Sequence, residues 1–201
     1  MNGHTPTIAI AGNPNCGKTT LFNALTGLRY KVANYPGVTV ERKIGKLALA
    51  DFPETSLVDL PGIYSLAGSS EDEQIATSVL FGTFRNDPPP DCILAVLDST
   101  NLERNLYLVT QFIDCGIPIV IALNMVDLAE QKGIRVFKEL LAKQLDVAVV
   151  NIVASRGEGL DQLRAELNKL LKERKLSGKR FGWLPIESPY RKVAEQLGSA
   201  Q

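Results

Sequence analysis

Residues 8–23 read IAIAGNPNCGKTTLFN. An apolar run stops at Gly12, a polar loop with a second glycine follows, and Lys18-Thr19-Thr20 opens a segment of helical spacing. Gly12-Asn13-Pro14-Asn15-Cys16-Gly17-Lys18-Thr19 fits GxxxxGK[ST]. In that device, glycines let backbone N–H groups turn inward around phosphate oxygens while a helix N-terminus adds its positive end. Lys18 then reaches the β- and γ-phosphates, and the Thr19 hydroxyl ligates Mg²⁺. A chance glycine turn would have no reason to carry a strand before it and a helix after it.

Outward from this loop, short apolar runs alternate with helical patterns, the signature of a parallel sheet wrapped by helices. Strands are expected at 7–11, 42–50, 55–60, 92–98, 117–124 and 148–154, most of them apolar on both faces as buried strands are. Helices are expected at 18–25, 72–84, 102–114, 134–145 and 160–172. In the last of these, Leu160, Leu163, Leu167, Leu170 and Leu171 form a one-sided stripe typical of core packing. Only 51–54 separate the second and third strands, too few for a crossover helix, so these two should form an antiparallel hairpin at a sheet edge. The expectation is a six-stranded, mostly parallel sheet with one antiparallel edge strand and helices on both faces.

A phosphate loop does not name the base. Asn124-Met125-Val126-Asp127 stands at the end of the strand at 117–124. A carboxylate there accepts from the N1–H and N2–H₂ edge of guanine, and adenine offers no such donor pair. Asn124 and Asp127 could equally cap a helix, but beside a phosphate loop they favour GTP over ATP. Asp59-Leu60-Pro61-Gly62 ends another strand, where open α/β sheets hold their ligands. Asp59 is suited to hold Mg²⁺ through water, and the Gly62 N–H to sense a γ-phosphate. Gly37-Val38-Thr39 follows the first helix, and Thr39 could complete the Mg²⁺ shell. The N–H groups of Val153-Ala154-Ser155, after the last strand, could meet guanine O6.

The 201 residues are 45% hydrophobic, enough for one substantial core. Lys plus Arg and Asp plus Glu are 22 each, so no global field argues for a nucleic-acid partner. Cys16, Cys92 and Cys115 are an odd number without CxxC spacing, as free thiols in a reducing cytosol would be. The start has no signal-peptide layout, and the longest apolar stretch, 117–123, falls far short of the about 20 residues of a membrane span. With His4 the single histidine, no Cys, His and carboxylate cluster has metal-ligand spacing. After about residue 172 the chain turns charged and Gly/Pro-bearing, with Lys172, Arg174, Lys175, Lys179 and Arg180 reading as a solvated linker rather than a lipid-binding patch.

Taken together, GNPNCGKTTLFNALTG, NYPGVTVERK, DLPGIYSL, DEQIA, NLERNLYL and ALNMVD resemble the cytosolic GTPase domain of FeoB, the bacterial ferrous-iron transport protein B family. The resemblance covers roughly residues 5–170. It implies a Ras-like P-loop GTPase fold over 1–170, with 171–201 the linker and first part of a helical domain. It also implies GTP/GDP, Mg²⁺ and K⁺ as cofactors, and the helical and membrane domains of an intact transporter, plus a small accessory protein, as partners. The domain would work at the cytoplasmic face of the bacterial inner membrane, with oligomerisation through the membrane part.

Four departures from the broader GTPase pattern bear on mechanism. Ile63 follows Gly62 where Ras-like enzymes carry the glutamine that orients attacking water, so water would be held by backbone around 37–39 and turnover would be slow. Asn15 falls where an asparagine of the family helps bind K⁺, a cation able to supply the charge of an arginine finger. That leaves Lys18, Thr39, Asn15 and Gly62 as the catalytic set. Met125 replaces the usual lysine of the base motif, and Ala154-Ser155 reverses the common order, both implying modest affinity and fast GDP release. Cys16 stands where the family usually has serine; it is either a volume-conserving replacement or a thiol activated by the helix end and Lys18. The competing readings are a nucleotide-gated regulatory module, in which binding rather than hydrolysis matters, and an ATPase or kinase built on the same loop.

Overall fold

The computed structural model of the chain describes residues 4–35, 37–84 and 87–173. Seven strands, β1 (Thr7–Gly12), β2 (Tyr30–Asn34), β3 (Glu41–Leu47), β4 (Thr55–Asp59), β5 (Cys92–Asp98), β6 (Ile119–Asn124) and β7 (Ala148–Asn151), form one sheet in the order β2-β3-β4-β1-β5-β6-β7. Around them lie α1 (Lys18–Thr26), α2 (Glu71–Leu80), α3 (Leu102–Asp114), α4 (Val126–Gln131), α5 (Lys138–Leu145) and α6 (Leu160–Glu173).

Side-chain alternation explains the layers. On β1, Ile8 and Ile10 enter a core shared with Leu21, Phe22 and Leu25 of α1 and with the leucines of α6. Their neighbours Ala9 and Ala11 enter a second core, shared with Ala76 and Leu80 of α2 and Phe112 of α3. β6 repeats the pattern, with Val120 and Ala122 on one face and Ile119, Ile121 and Leu123 on the other. Strands buried on both faces need helices on both faces, which is why the apolar runs are continuous. Leu160, Leu163, Leu167 and Leu171 of α6 are the buried stripe. Cutting Leu163 or Leu167, both fully buried, to Ala would cost about 2–5 kcal/mol.

The expected six strands become seven. β3 is antiparallel to β4 as anticipated, but it is not the edge, because β2 pairs antiparallel with its other side from Tyr30↔Gly45 to Asn34↔Glu41. Four of the five residues of β2 are exposed, so its identity comes from the ladder and from no buried face. α4 was not expected, and the helix expected at 134–145 starts only at Lys138. α2 begins one residue before its expected start because Ser70 and Glu73 form a reciprocal capping box, each side chain accepting the other's backbone N–H at 3.3 Å. α6 continues to Glu173, past the boundary drawn at residue 170. The remaining tail, with Arg174, Lys175, Lys179 and Arg180, lies outside the described residues. β1 runs parallel to β4 and β5, and β5 parallel to β6, so Gly12, Asp59 and Asn124 finish at one rim of the sheet.

Candidate nucleotide site

Gly17 sits at the N-terminus of α1 with φ +92°, and a Cβ there would lie 2.2 Å from the Asn124 side-chain nitrogen. No other residue fits both the backbone and the neighbour. Asn15, at φ +63°, is exposed at the loop tip. Within the loop the Lys18 side chain is buried, its ammonium donating to the carbonyls of Gly12 at 3.2 Å and Asn13 at 3.1 Å. Two carbonyl dipoles hold the ammonium without neutralising it, which leaves a positive charge where phosphate is expected.

Gly62 faces this charge: an ideal Cβ on it would lie 3.1 Å from Lys18 Nζ and 3.0 Å from Pro14 Cα. The segment is pinned there by Leu60 N–H on the Ile10 carbonyl at 3.0 Å and by Ile63 N–H on the Gly12 carbonyl at 3.2 Å. Lys18, Thr19, Thr39, Asp59, Leu60, Pro61 and Gly62 thus line one cavity of about 430 Å³. Asp59 is buried, and burial holds its carboxyl above the usual range against the pull of Lys18 and Lys43. One of its oxygens accepts from the Thr19 hydroxyl at 3.5 Å, and the other is buried with no partner among the described residues. A hydroxyl and an unsatisfied carboxylate oxygen beside an anion site are the hard oxygen donors Mg²⁺ takes, so these residues fit that ion.

One amide joins the loop before α1 to the segment after β7. Asn124 Nδ2 donates to the Cys16 carbonyl at 3.0 Å, and its Oδ1 accepts the Ala154 N–H at 3.1 Å. Met125 follows at φ +61°. Asp127 accepts a 2.8 Å bond from the Arg156 guanidinium, which sequence reasoning did not single out. Of the three N–H groups proposed for O6, Val153 donates to the Glu158 carbonyl at 3.1 Å and Ala154 to Asn124, so two are committed within the protein.

Further positioning residues emerge from α3. Gln111, buried, accepts the Leu66 N–H at 2.9 Å and donates to the Ser65 hydroxyl at 3.2 Å, holding the segment after Gly62. Asn13 donates to the Arg104 carbonyl at 3.3 Å, while the Arg104 guanidinium lies 4.2 Å over the Tyr64 ring. A polar residue inside an amphipathic helix was the only available signal. On the other flank, Tyr35 carries the loop of Gly37 to Thr39: it is fully buried, edge-on to Phe84 at 5.2 Å, and its hydroxyl has no partner among the described residues. Ile63 is 1% exposed and part of the core. Cys16 is equally buried, and burial raises its thiol pKa despite Lys18, which favours the volume-conserving reading over the activated thiol.

Comparison with known proteins matches residues 6–167 to the ferrous iron transport protein B family. The Fe(2+) transporter FeoB of Salmonella typhimurium is 46% identical over 167 residues, 81% of this chain and 21% of that protein. That of Shigella flexneri is 45% identical over the same length. The chain therefore spans about a fifth of the length of the curated relatives it matches. Among solved structures, the cytosolic domain of L. pneumophila FeoB superposes with a TM-score of 0.78 at 41% identity, covering 90% of this chain and 74% of that one. A GDP-bound variant of S. thermophilus NFeoB gives 0.77 at 42% identity, covering 86% and 64%. Their fold agrees with the Ras-like architecture expected here, with one strand more than anticipated. No helix among the described residues is long and apolar enough to cross a membrane.

Proposed function

The chain belongs to the ferrous iron transport protein B family, and we propose that it acts as the GTP-hydrolysing switch domain of a ferrous-iron transporter. The observation that carries this reading is the Asn124 bridge, which ties a loop with a buried lysine to the segment that precedes Arg156 and flanks Asp127. Phosphates lie over Lys18, and the guanine edge meets Asp127, with O6 left to the Ser155 N–H. In the reaction, water attacks the γ-phosphorus in line, the bond to the β-phosphate oxygen breaks, and GDP leaves with the electron pair. Lys18 offsets the charge that develops on the phosphate oxygens, and the Gly62 N–H bonds the γ-phosphate. Thr19, Asp59 and Thr39 hold Mg²⁺, which when bound neutralises phosphate charge. Asn15, exposed at the loop tip, would hold K⁺, which would supply positive charge toward the phosphates. Thr39 and Gly62 touch only the triphosphate state, so their segments, around 30–41 and 60–72, which take in β2 and the start of α2, are the switch.

Phosphate release from GTP in the presence of Mg²⁺, compared with ATP and between K⁺ and Na⁺, tests the proposal. GTP alone should be turned over, faster in K⁺, with Lys18→Ala and Asp59→Ala inactive; ATP displacing labelled GTP at similar concentration would overturn it. The buried Ile63 favours a second reading, in which slow hydrolysis is incidental and the GTP-bound shape gates the helical and membrane domains at the cytoplasmic face. Transport that persists in the intact protein when Thr39→Ala binds but does not hydrolyse GTP would select it.

A further inference from the structure

One oxygen of Asp127 is already engaged. Its Oδ2 accepts from Arg156 Nη2 at 2.8 Å, and the Nε of the same guanidinium lies 3.2 Å from Glu158 Oε1. Arg156 is held on a formed turn: its N–H bonds the Val153 carbonyl at 3.0 Å, and Val153 and Glu158 exchange backbone bonds at 3.1 and 3.3 Å. Gly157 and Gly159, at φ +72° and +79°, provide the reversals. The guanidinium thus sits between two carboxylates on a turn, yet 53% exposed, so no packing prevents it from swinging away.

We propose that Arg156 is a competing ligand for the base-reading carboxylate and thereby sets nucleotide affinity and release. The proposal rests on the guanine reading above. A guanine edge needs both oxygens of Asp127 as strong acceptors. A guanidinium on one of them either has to leave or, by staying, draws off the charge that makes the carboxylate a strong acceptor. In both cases part of the binding energy offsets the lost ion pair, and on departure of the base the pair re-forms. Glu158 keeps the guanidinium close when it is displaced, so the return is short.

The test uses the full chain and ribose-labelled fluorescent GDP and ADP, with release followed by stopped flow for wild type, Arg156→Ala and Arg156→Lys. An exposed ion pair is weak, so Arg156→Ala should slow GDP release and tighten binding roughly two- to fivefold. Arg156→Lys should fall between, and the weak binding of ADP, which makes no use of Asp127, should not change. Unchanged or faster GDP release in Arg156→Ala would show that Arg156 braces Asp127 or does nothing, and equal slowing for ADP would show a general effect on the loop; each overturns the proposal. A wild type without preference for GDP over ADP removes the guanine reading itself, whereas preference with no Arg156 effect removes only this inference.

Discussion

The side-chain amide of Asn124 donates to the backbone carbonyl of Cys16 at 3.0 Å, across 108 positions of sequence. Its oxygen simultaneously accepts the Ala154 N–H, so one buried residue is the seam between the phosphate loop and the base loop. Asn124→Asp keeps the acceptor and turns a carboxylate oxygen toward the Cys16 carbonyl. The expected result is a loss of about 1–3 kcal/mol in urea unfolding, from a buried acceptor left without its donor, together with weakened nucleotide binding. Unaltered stability would show that the seam carries no energy.

Ile63→Gln should not make a faster GTPase. The side chain at this position is in the core, with only its backbone against the phosphate loop. A buried amide there costs about 1–3 kcal/mol, so the variant should lose thermal stability with no gain in turnover. Accelerated phosphate release would mean that the segment can turn this side chain toward the nucleotide.

Tyr35→Phe should stabilise the nucleotide-free domain. Its hydroxyl is buried without a partner among the described residues, a deficit of about 1–3 kcal/mol that the phenyl ring avoids. Burial pushes the phenol up to about 12, the Arg42 guanidinium 5.7 Å from the ring only partly opposing it. A raised pKa gives stability that is full below the unfolded value of about 10 and is lost as pH rises toward the folded one. Denaturant titrations between about pH 10 and 12 should therefore show wild type weakening more steeply than Tyr35→Phe, and parallel curves would contradict the assignment.

Thiol labelling should be slow in the native protein. Cys16, Cys92 and Cys115 are all buried, and burial raises the pKa of Cys16 and Cys92. Alkylation at mild pH followed by mass spectrometry should find Cys16 unmodified until denaturant is added. Rapid native modification of Cys16 would restore the reactive-thiol reading.

The alternation of apolar runs and helices disclosed the parallel core because the same residues that signal strand are the ones that fill both cores. β2 escaped because YKVAN buries no face; only the hydrogen-bond ladder to β3 makes it a strand. The helix expected at 134–145 started late because Ile134 and Phe137 are apolar at helical spacing yet lie before Lys138 in irregular chain, both exposed rather than packed as a helical stripe. That Lys18, Thr19, Asp59 and Gly62 line one cavity was legible because GxxxxGK[ST] and Asp-x-Pro-Gly are contiguous patterns, each at a strand end. Arg156 was not, since it belongs to no such pattern and a basic residue in a loop carries no signal of its own. Gln111 was hidden for the same reason, a polar residue on a helix whose partners belong to another segment.

The corner between β3 and β4 meets the far end of α6. Asp51 receives the Asn168 amide at 2.6 Å and the Lys172 ammonium at 3.1 Å, while its own N–H returns a bond of 2.9 Å to Asn168. β3 continues from that corner directly toward Thr39, its register held against β4 from Leu47↔Thr55 to Lys43↔Asp59. The hairpin is therefore fastened at its corner to the last turns of α6, while its other end leads into the segment that carries Thr39. One strand thus has the end of α6 at its one extremity and the cavity of Lys18 and Asp59 at the other.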